Sequence, residues 1–161
     1  MNLILVFVVA CVGGDKVIDS ALDSVNPTCD TTHEECAPGV SGCGGEGANM
    51  LPGSDCIACH TRGGADEAPN WTAAGTLFDS LDGGAGVAGA TITVTDSTGA
   101  TVQMTSSSAG NFFTTRALVP PLTATVETEN GSLEMRDSVS TGACNSCHQC
   151  SGTPGGKLYA P

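Results

Sequence analysis

Ala90-Thr91-Ile92-Thr93-Val94-Thr95, then Asp96-Ser97-Thr98-Gly99, then Thr101-Val102-Gln103-Met104-Thr105: the fold turns on how this stretch is read. Apolar and polar positions alternate on both sides of a turn-forming tetrad, which is the period-2 signature of half-buried strands. Threonine, valine and isoleucine are β-branched and suit a pleated surface. Moving outward, Asn111-Phe112-Phe113-Thr114-Thr115 and Thr123-Ala124-Thr125-Val126-Glu127 read as further strands. Asn130-Gly131 is the strongest hairpin signal and leads into Ser132-Leu133-Glu134-Met135. Thr72 to Phe78 reads as a first strand, and Pro120-Pro121 suits a connecting loop. No segment shows a convincing helical period. About six short strands at roughly 8–12-residue spacing predict a mainly β chain with a small antiparallel β-sandwich.

Two short motifs flank this region. Cys56-Ile57-Ala58-Cys59-His60 lies before it and Cys144-Asn145-Ser146-Cys147-His148 after it. The chain has 3 histidines, and two of them directly follow a Cys-x-x-Cys. That spacing is the signature of c-type haem attachment. Two thiols two residues apart add to the two vinyl groups of one porphyrin, and the next residue supplies the proximal imidazole. The reading therefore calls for two haem c groups, with Cys56, Cys59, Cys144 and Cys147 as thioether anchors and His60 and His148 as proximal iron ligands. The four cysteines could instead form one zinc site or plain disulfides, but neither explains the histidine after each pair. A thioredoxin-like CxxC needs a βαβ context, which is missing.

Each iron also needs a distal ligand or an open site. Met50, in Met50-Leu51-Pro52-Gly53-Ser54-Asp55-Cys56, precedes the first motif by a stretch that spans about 20 Å when extended. Met135 lies close enough ahead of the second motif to reach it. Met50 and Met135 are the distal candidates, His33 is a weaker one, and Met104 belongs to a strand and is expected to pack in the core. An enzyme such as a dihaem peroxidase would need an open iron and acid–base groups. With no spare histidine beyond His33, the chain reads as an electron carrier and not an enzyme.

The N-terminus bears on the compartment. Leu3 to Val9 is an apolar run too short to span a bilayer but suited to a signal-peptide core. Val8-Val9-Ala10-Cys11 resembles a bacterial lipoprotein signal, although no Lys or Arg precedes the run. The resemblance implies that Cys11 is lipidated and anchors the chain in the bacterial envelope, on its periplasmic or outer surface. An ordinary secretory signal cut near Ala10 is the other reading. If Cys11 is lipidated and four cysteines hold haem, Cys29, Cys36, Cys43 and Cys150 are left for two disulfides in an oxidising compartment. Their pairing stays open, and one possibility is a bridge from Cys150 to the N-terminal segment.

Composition narrows the class further. Lys and Arg number 5 against 17 Asp and Glu, a net charge of −12, so a nucleic-acid partner is excluded and a redox partner with a basic docking face is expected. Hydrophobic residues make up 40% of the chain but aromatics only 4%, so two porphyrins would supply apolar surface that the side chains lack. Homo-oligomer or filament formation is left open.

The segment from Gly86 to Asp96, with Gly99 and Ser108-Ala109-Gly110-Asn111-Phe112, resembles the carboxypeptidase regulatory-like, transthyretin-type β-sandwich. In that family such domains are non-catalytic spacers or binding modules. The arrangement from Met50 to Pro161 also resembles exported dihaem cytochrome c lipoproteins, which carry such a sandwich between two CxxCH motifs. The resemblance implies electron transfer. The expected organisation is a signal peptide over 1–10, an acidic cysteine-containing tether over 11–49, a first haem-binding segment over 50–69, the β-sandwich over 70–137 and a second haem-binding segment over 138–161. An even number of strands between the motifs would return both haem sites to one side. The alternative from another class is a non-haem surface binding lipoprotein, a β-sandwich whose flanks are tied by zinc or disulfides.

Overall fold

The structure, a computed structural model, describes residues 47–61, 68–150, 152, 154 and 156–161. The element order is α1 (Cys56–Cys59), β1 (Ala73–Thr76), β2 (Phe78–Ser80), β3 (Gly83–Gly86), β4 (Thr91–Thr95), β5 (Thr101–Thr105), β6 (Asn111–Thr114), β7 (Thr123–Thr128), β8 (Gly131–Glu134), β9 (Gly142–Ala143) and α2 (Cys144–Cys147). Strands dominate, and the chain is a small, mainly antiparallel β-sandwich. One sheet has the order β5-β4-β7-β8, a second β6-β1-β9, and β2 and β3 form a hairpin.

The alternating stretch forms the centre of the four-stranded sheet. Ile92 pairs with Met104 and Val126, and Val94 with Val102 and Ala124, so one face is a continuous apolar row. Ile92, Val94, Val102, Met104 and Val126 are buried, together with Ala73, Leu77 and Phe112 from the facing side. Each large aliphatic side chain in that row stabilises the fold by about 1.5–3 kcal/mol relative to exposure. The turn between β4 and β5 is fixed by Asp96. Its Oδ1 accepts from the amides of Thr98 (2.8 Å) and Ala100 (3.0 Å), while Gly99 takes a left-handed φ of +82°.

Several strand readings need amending. The run from Thr72 to Phe78 divides into β1 and the start of β2. The β2–β3 hairpin and β9 lacked an alternating signal, because Gly83-Gly84-Ala85-Gly86 and Gly142-Ala143 carry almost no side chain to pattern. At the β7–β8 hairpin, Thr128 faces Gly131, so Glu129-Asn130 occupy the loop and Gly131 opens the strand. The Thr128 hydroxyl accepts from the Asn130 amide (3.1 Å) and turns the chain one residue before the Asn-Gly pair.

The sandwich also extends past its expected end at 137. Strand β9 pairs with β1 in parallel, Leu122 bridges Val139, and Phe78 bridges Tyr159. The expectation of an even strand count is overturned. With nine strands among the described residues, the first and last run parallel, and parity alone would send the two motifs to opposite ends. Among the described residues, no helix is long and apolar enough to cross a membrane.

Candidate functional site

The two CxxCH motifs adopt the same local geometry. Each Cys-x-x-Cys is a single helical turn, closed by the histidine amide donating to the carbonyl of the first cysteine at 2.9 Å in both. In the first motif Cys56, Cys59 and His60 line one cavity. The starts of the turns differ. Asp55 caps α1, its carboxylate accepting from the amides of Ile57 (3.2 Å) and Ala58 (3.4 Å). Helix α2 has no side-chain cap at Ala143 and is launched directly from β9.

His60 is the best-defined candidate ligand. It is 6% exposed, and its Nδ1 lies 3.1 Å from the carbonyl of Pro69. A carbonyl can only accept, so Nδ1 donates to it, and Nε2 is the ring nitrogen left to serve as a ligand. That Nε2 is buried with no hydrogen-bond partner. A buried, unpartnered imidazole nitrogen whose other nitrogen is oriented by a backbone carbonyl is the arrangement of a metal-ligating histidine. The ring stacks on Trp71 at 3.4 Å and 4°, and Trp71 stacks on Phe113 at 4.1 Å and 9°.

Beside His60 is a small apolar cavity of about 30 Å³, whose walls include Met50, Cys56, Cys59, Trp71 and Phe112. Met50 thus faces the same space as His60, as a distal ligand would. The lip of the cavity contains a backbone outlier: Leu51, which precedes a proline, has φ +43°. A non-glycine residue in that region costs on the order of 1–3 kcal/mol and persists only where its surroundings impose it.

Buried hydrogen bonds impose it here. The Thr76 hydroxyl accepts from the Gly53 amide (2.8 Å) and donates to Asn111 Oδ1 (2.7 Å), and Asn111 Nδ2 donates to the Met50 carbonyl (2.8 Å). From the second motif, Asn145 Nδ2 donates to the Ser54 carbonyl (2.8 Å) and to Thr76 Oγ1 (3.1 Å), while its Oδ1 accepts from the Thr76 amide (3.0 Å). The two motifs meet through this network rather than through strand parity. Asn145, inside the second motif, was not singled out by sequence, since its role depends on a bond across 91 residues.

The sulfurs are not equivalent. Cys56, Cys59 and Cys144 are free thiols. Burial, then the neighbouring Asp55 charge, pushes the Cys56 thiol up to about 11. Burial, then Cys56 itself, pushes Cys144 up to about 12. Cys147 and Cys150 are each disulfide-bonded. For Cys150 a disulfide was expected, but for Cys147 the expectation needs correction. A sulfur in a disulfide has no hydrogen to add across a vinyl group, so in this state Cys147 is not a thioether anchor. Among the described residues, no three His, Cys, Asp or Glu side chains gather as a metal site.

His148 is half-buried, and burial holds its imidazole below the ordinary value and so favours the neutral form. Met135 stands beyond β8 on the four-stranded sheet, its amide donating to the Ala124 carbonyl (2.9 Å). It is therefore on a different sheet from the one against which α2 packs. Met104 is a core residue. Cys11, Cys29, His33, Cys36 and Cys43 lie outside the described residues. No protein family, curated protein or solved structure matches this chain.

Proposed function

We propose that this chain is an exported dihaem c-type cytochrome, lipid-anchored at Cys11, that carries electrons at the bacterial envelope. The observation that carries the reading is His60: buried, oriented through Nδ1 by the Pro69 carbonyl, and holding an unpartnered Nε2 beside Cys56, Cys59 and Met50. The donor set suits a covalently held haem, with Cys56 and Cys59 as anchors, His60 as proximal and Met50 as distal ligand. Bound there, the haem would supply one-electron chemistry. The cavity holds about one water in this conformation, so a macrocycle between Met50 and His60 needs the half-buried lining side chains to move outward. A second haem would use Cys144, Cys147 and His148 once the Cys147 disulfide is reduced. The net charge of −12 favours a basic redox partner, approached at a salt-dependent rate.

One observation favours the other reading, a non-haem binding lipoprotein: Cys147 and Cys150 are disulfide-bonded, as flanks tied by disulfides would be. A pyridine haemochrome assay with intact mass, on protein made with haem-maturation machinery, separates the two. Two haems per chain is the expected result. One haem, at the first motif, would mean that Cys147 keeps its disulfide. None would leave the non-haem reading standing.

A further inference from the structure

We infer that Asn145, a residue inside the second motif, is a positioning residue for the first: through Thr76 and Asn111 it fixes the loop that presents Met50, so the two haem sites are coupled and not independent. The inference rests on the haem reading above but goes beyond it. The second motif delivers an amide side chain, 3% exposed, into the gap between the motifs. There it holds the Ser54 carbonyl directly. It also shares the hydroxyl of Thr76, itself fully buried, with the Gly53 amide. That hydroxyl donates to Asn111, whose amide holds the Met50 carbonyl. Both hydrogens of Asn145 Nδ2, the Thr76 proton and both of its lone pairs are used, so the network is fully satisfied at its centre, and a change at one end is felt at the other. The strained Leu51 lies between the two anchored points, Met50 and Gly53. Releasing either anchor lets Leu51 relax, and its neighbour Met50 moves with it. Helix α2 is therefore part of the support for the Met50 loop.

The test uses Asn145→Ala and Asn111→Ala in the haem-loaded protein. Asn145→Ala should leave His60 as proximal ligand while the ratio of Met-bound to Met-free iron at the first site falls about tenfold, from the loss of hydrogen bonds each worth about 1 kcal/mol. The readouts are the weak far-red Met-to-iron absorption band and a fall in that site's potential. Amide exchange at Gly53 should accelerate in the same variant, with or without haem. Asn111→Ala cuts the last link and should give the same spectral change, and the double variant should lose little more than either single one. Should Asn145→Ala fail to load the second motif, Asn111→Ala, which lies outside both motifs, still decides the question. An unaltered Met band in both variants, or effects that simply add, would overturn the inference. Absence of haem from the parent protein would instead overturn the functional reading.

Discussion

Thr76→Val removes one hydroxyl and keeps the side-chain shape. Thr76 is fully buried, and its Oγ1 accepts from Gly53 and Asn145 and donates to Asn111. The substitution leaves a backbone amide, one hydrogen of an Asn amide and one Asn carbonyl without partners in a place water does not reach. Each such group costs about 1–3 kcal/mol. Asn145 and Asn111 keep their other bonds, so the lower end applies to each, about 3 kcal/mol in all. The added methyl returns about 0.8 kcal/mol. The net expectation is a loss of about 2 kcal/mol, or about 10 °C in Tm for a domain near 100 residues. Urea unfolding followed by far-UV circular dichroism measures it, with an unchanged slope showing that the unfolding transition is the same. Thr101→Val, at an exposed position in β5, is the control and should stay within about 0.5 kcal/mol of the parent. Thr76→Ser keeps the hydroxyl and should be milder than Thr76→Val. If Thr76→Val proves as stable as Thr101→Val, the buried network does not hold the motifs together.

Three further expectations follow from the same geometry. A Cβ on Gly75 would lie 2.7 Å from Phe112 Cζ and 2.8 Å from Cys144 Cβ, so Gly75→Ala should destabilise by about 1–3 kcal/mol and lower haem loading at the second motif, read by urea midpoint and haemochrome yield. Asp96 is held below the ordinary carboxyl value, first by the Thr98 hydroxyl and then by the Val119 amide among others. Its stabilisation is therefore full above pH 3.8 and is lost as pH falls through the lower folded value; Asp96→Asn should flatten that acid limb of the stability curve. In haem-free protein, burial holds the Cys56 and Cys144 thiols protonated, so iodoacetamide at pH 8 should label Cys56 about a hundredfold and Cys144 about a thousandfold more slowly than the same residues in urea. The sign for stability follows: this contribution is full below the unfolded value of 9.0 and is lost as pH rises towards about 11 and 12. Equal labelling rates by peptide mass mapping would count against that burial.

The strands were legible where side chains alternate. Thr101–Thr105 was read with its observed bounds, and β4, β6, β7 and β8 to within a residue or two, because Ile92, Val94, Val102 and Val126 mark one face at period two. Strands β3 and β9, made of glycine and alanine, carry no such mark. They form because neighbouring backbone needs partners and because only small residues fit the close approach. A Cβ on Gly142 would meet the Thr72 carbonyl, and one on Gly86 the Ala109 carbonyl. The CxxCH motifs were legible for a different reason: their spacing is a property of five consecutive residues that survives wherever the segment is placed. Met50 was recognisable as a candidate because its distance from Cys56 along the chain bounds its distance in space. Met135 satisfied the same bound and yet is held on another sheet by its bond to Ala124, since chain length limits reach but does not direct it.

By itself, the sequence determined what each piece could be: alternation dictated strands, Asp96 and Gly99 dictated a turn, and each Cys-x-x-Cys-His kept two sulfurs and an imidazole within five residues, while the one-turn helix each adopts came from the structure. These are properties of neighbours in the chain, fixed by backbone sterics and side-chain period. Only the tertiary structure decided that the two motifs meet. An odd number of strands would have parted them, but β9 pairs beside β1 and Asn145 reaches Ser54 and Thr76. The physical reason is that a buried amide or hydroxyl must find partners, and those partners lie dozens of residues away, where no local pattern can announce them.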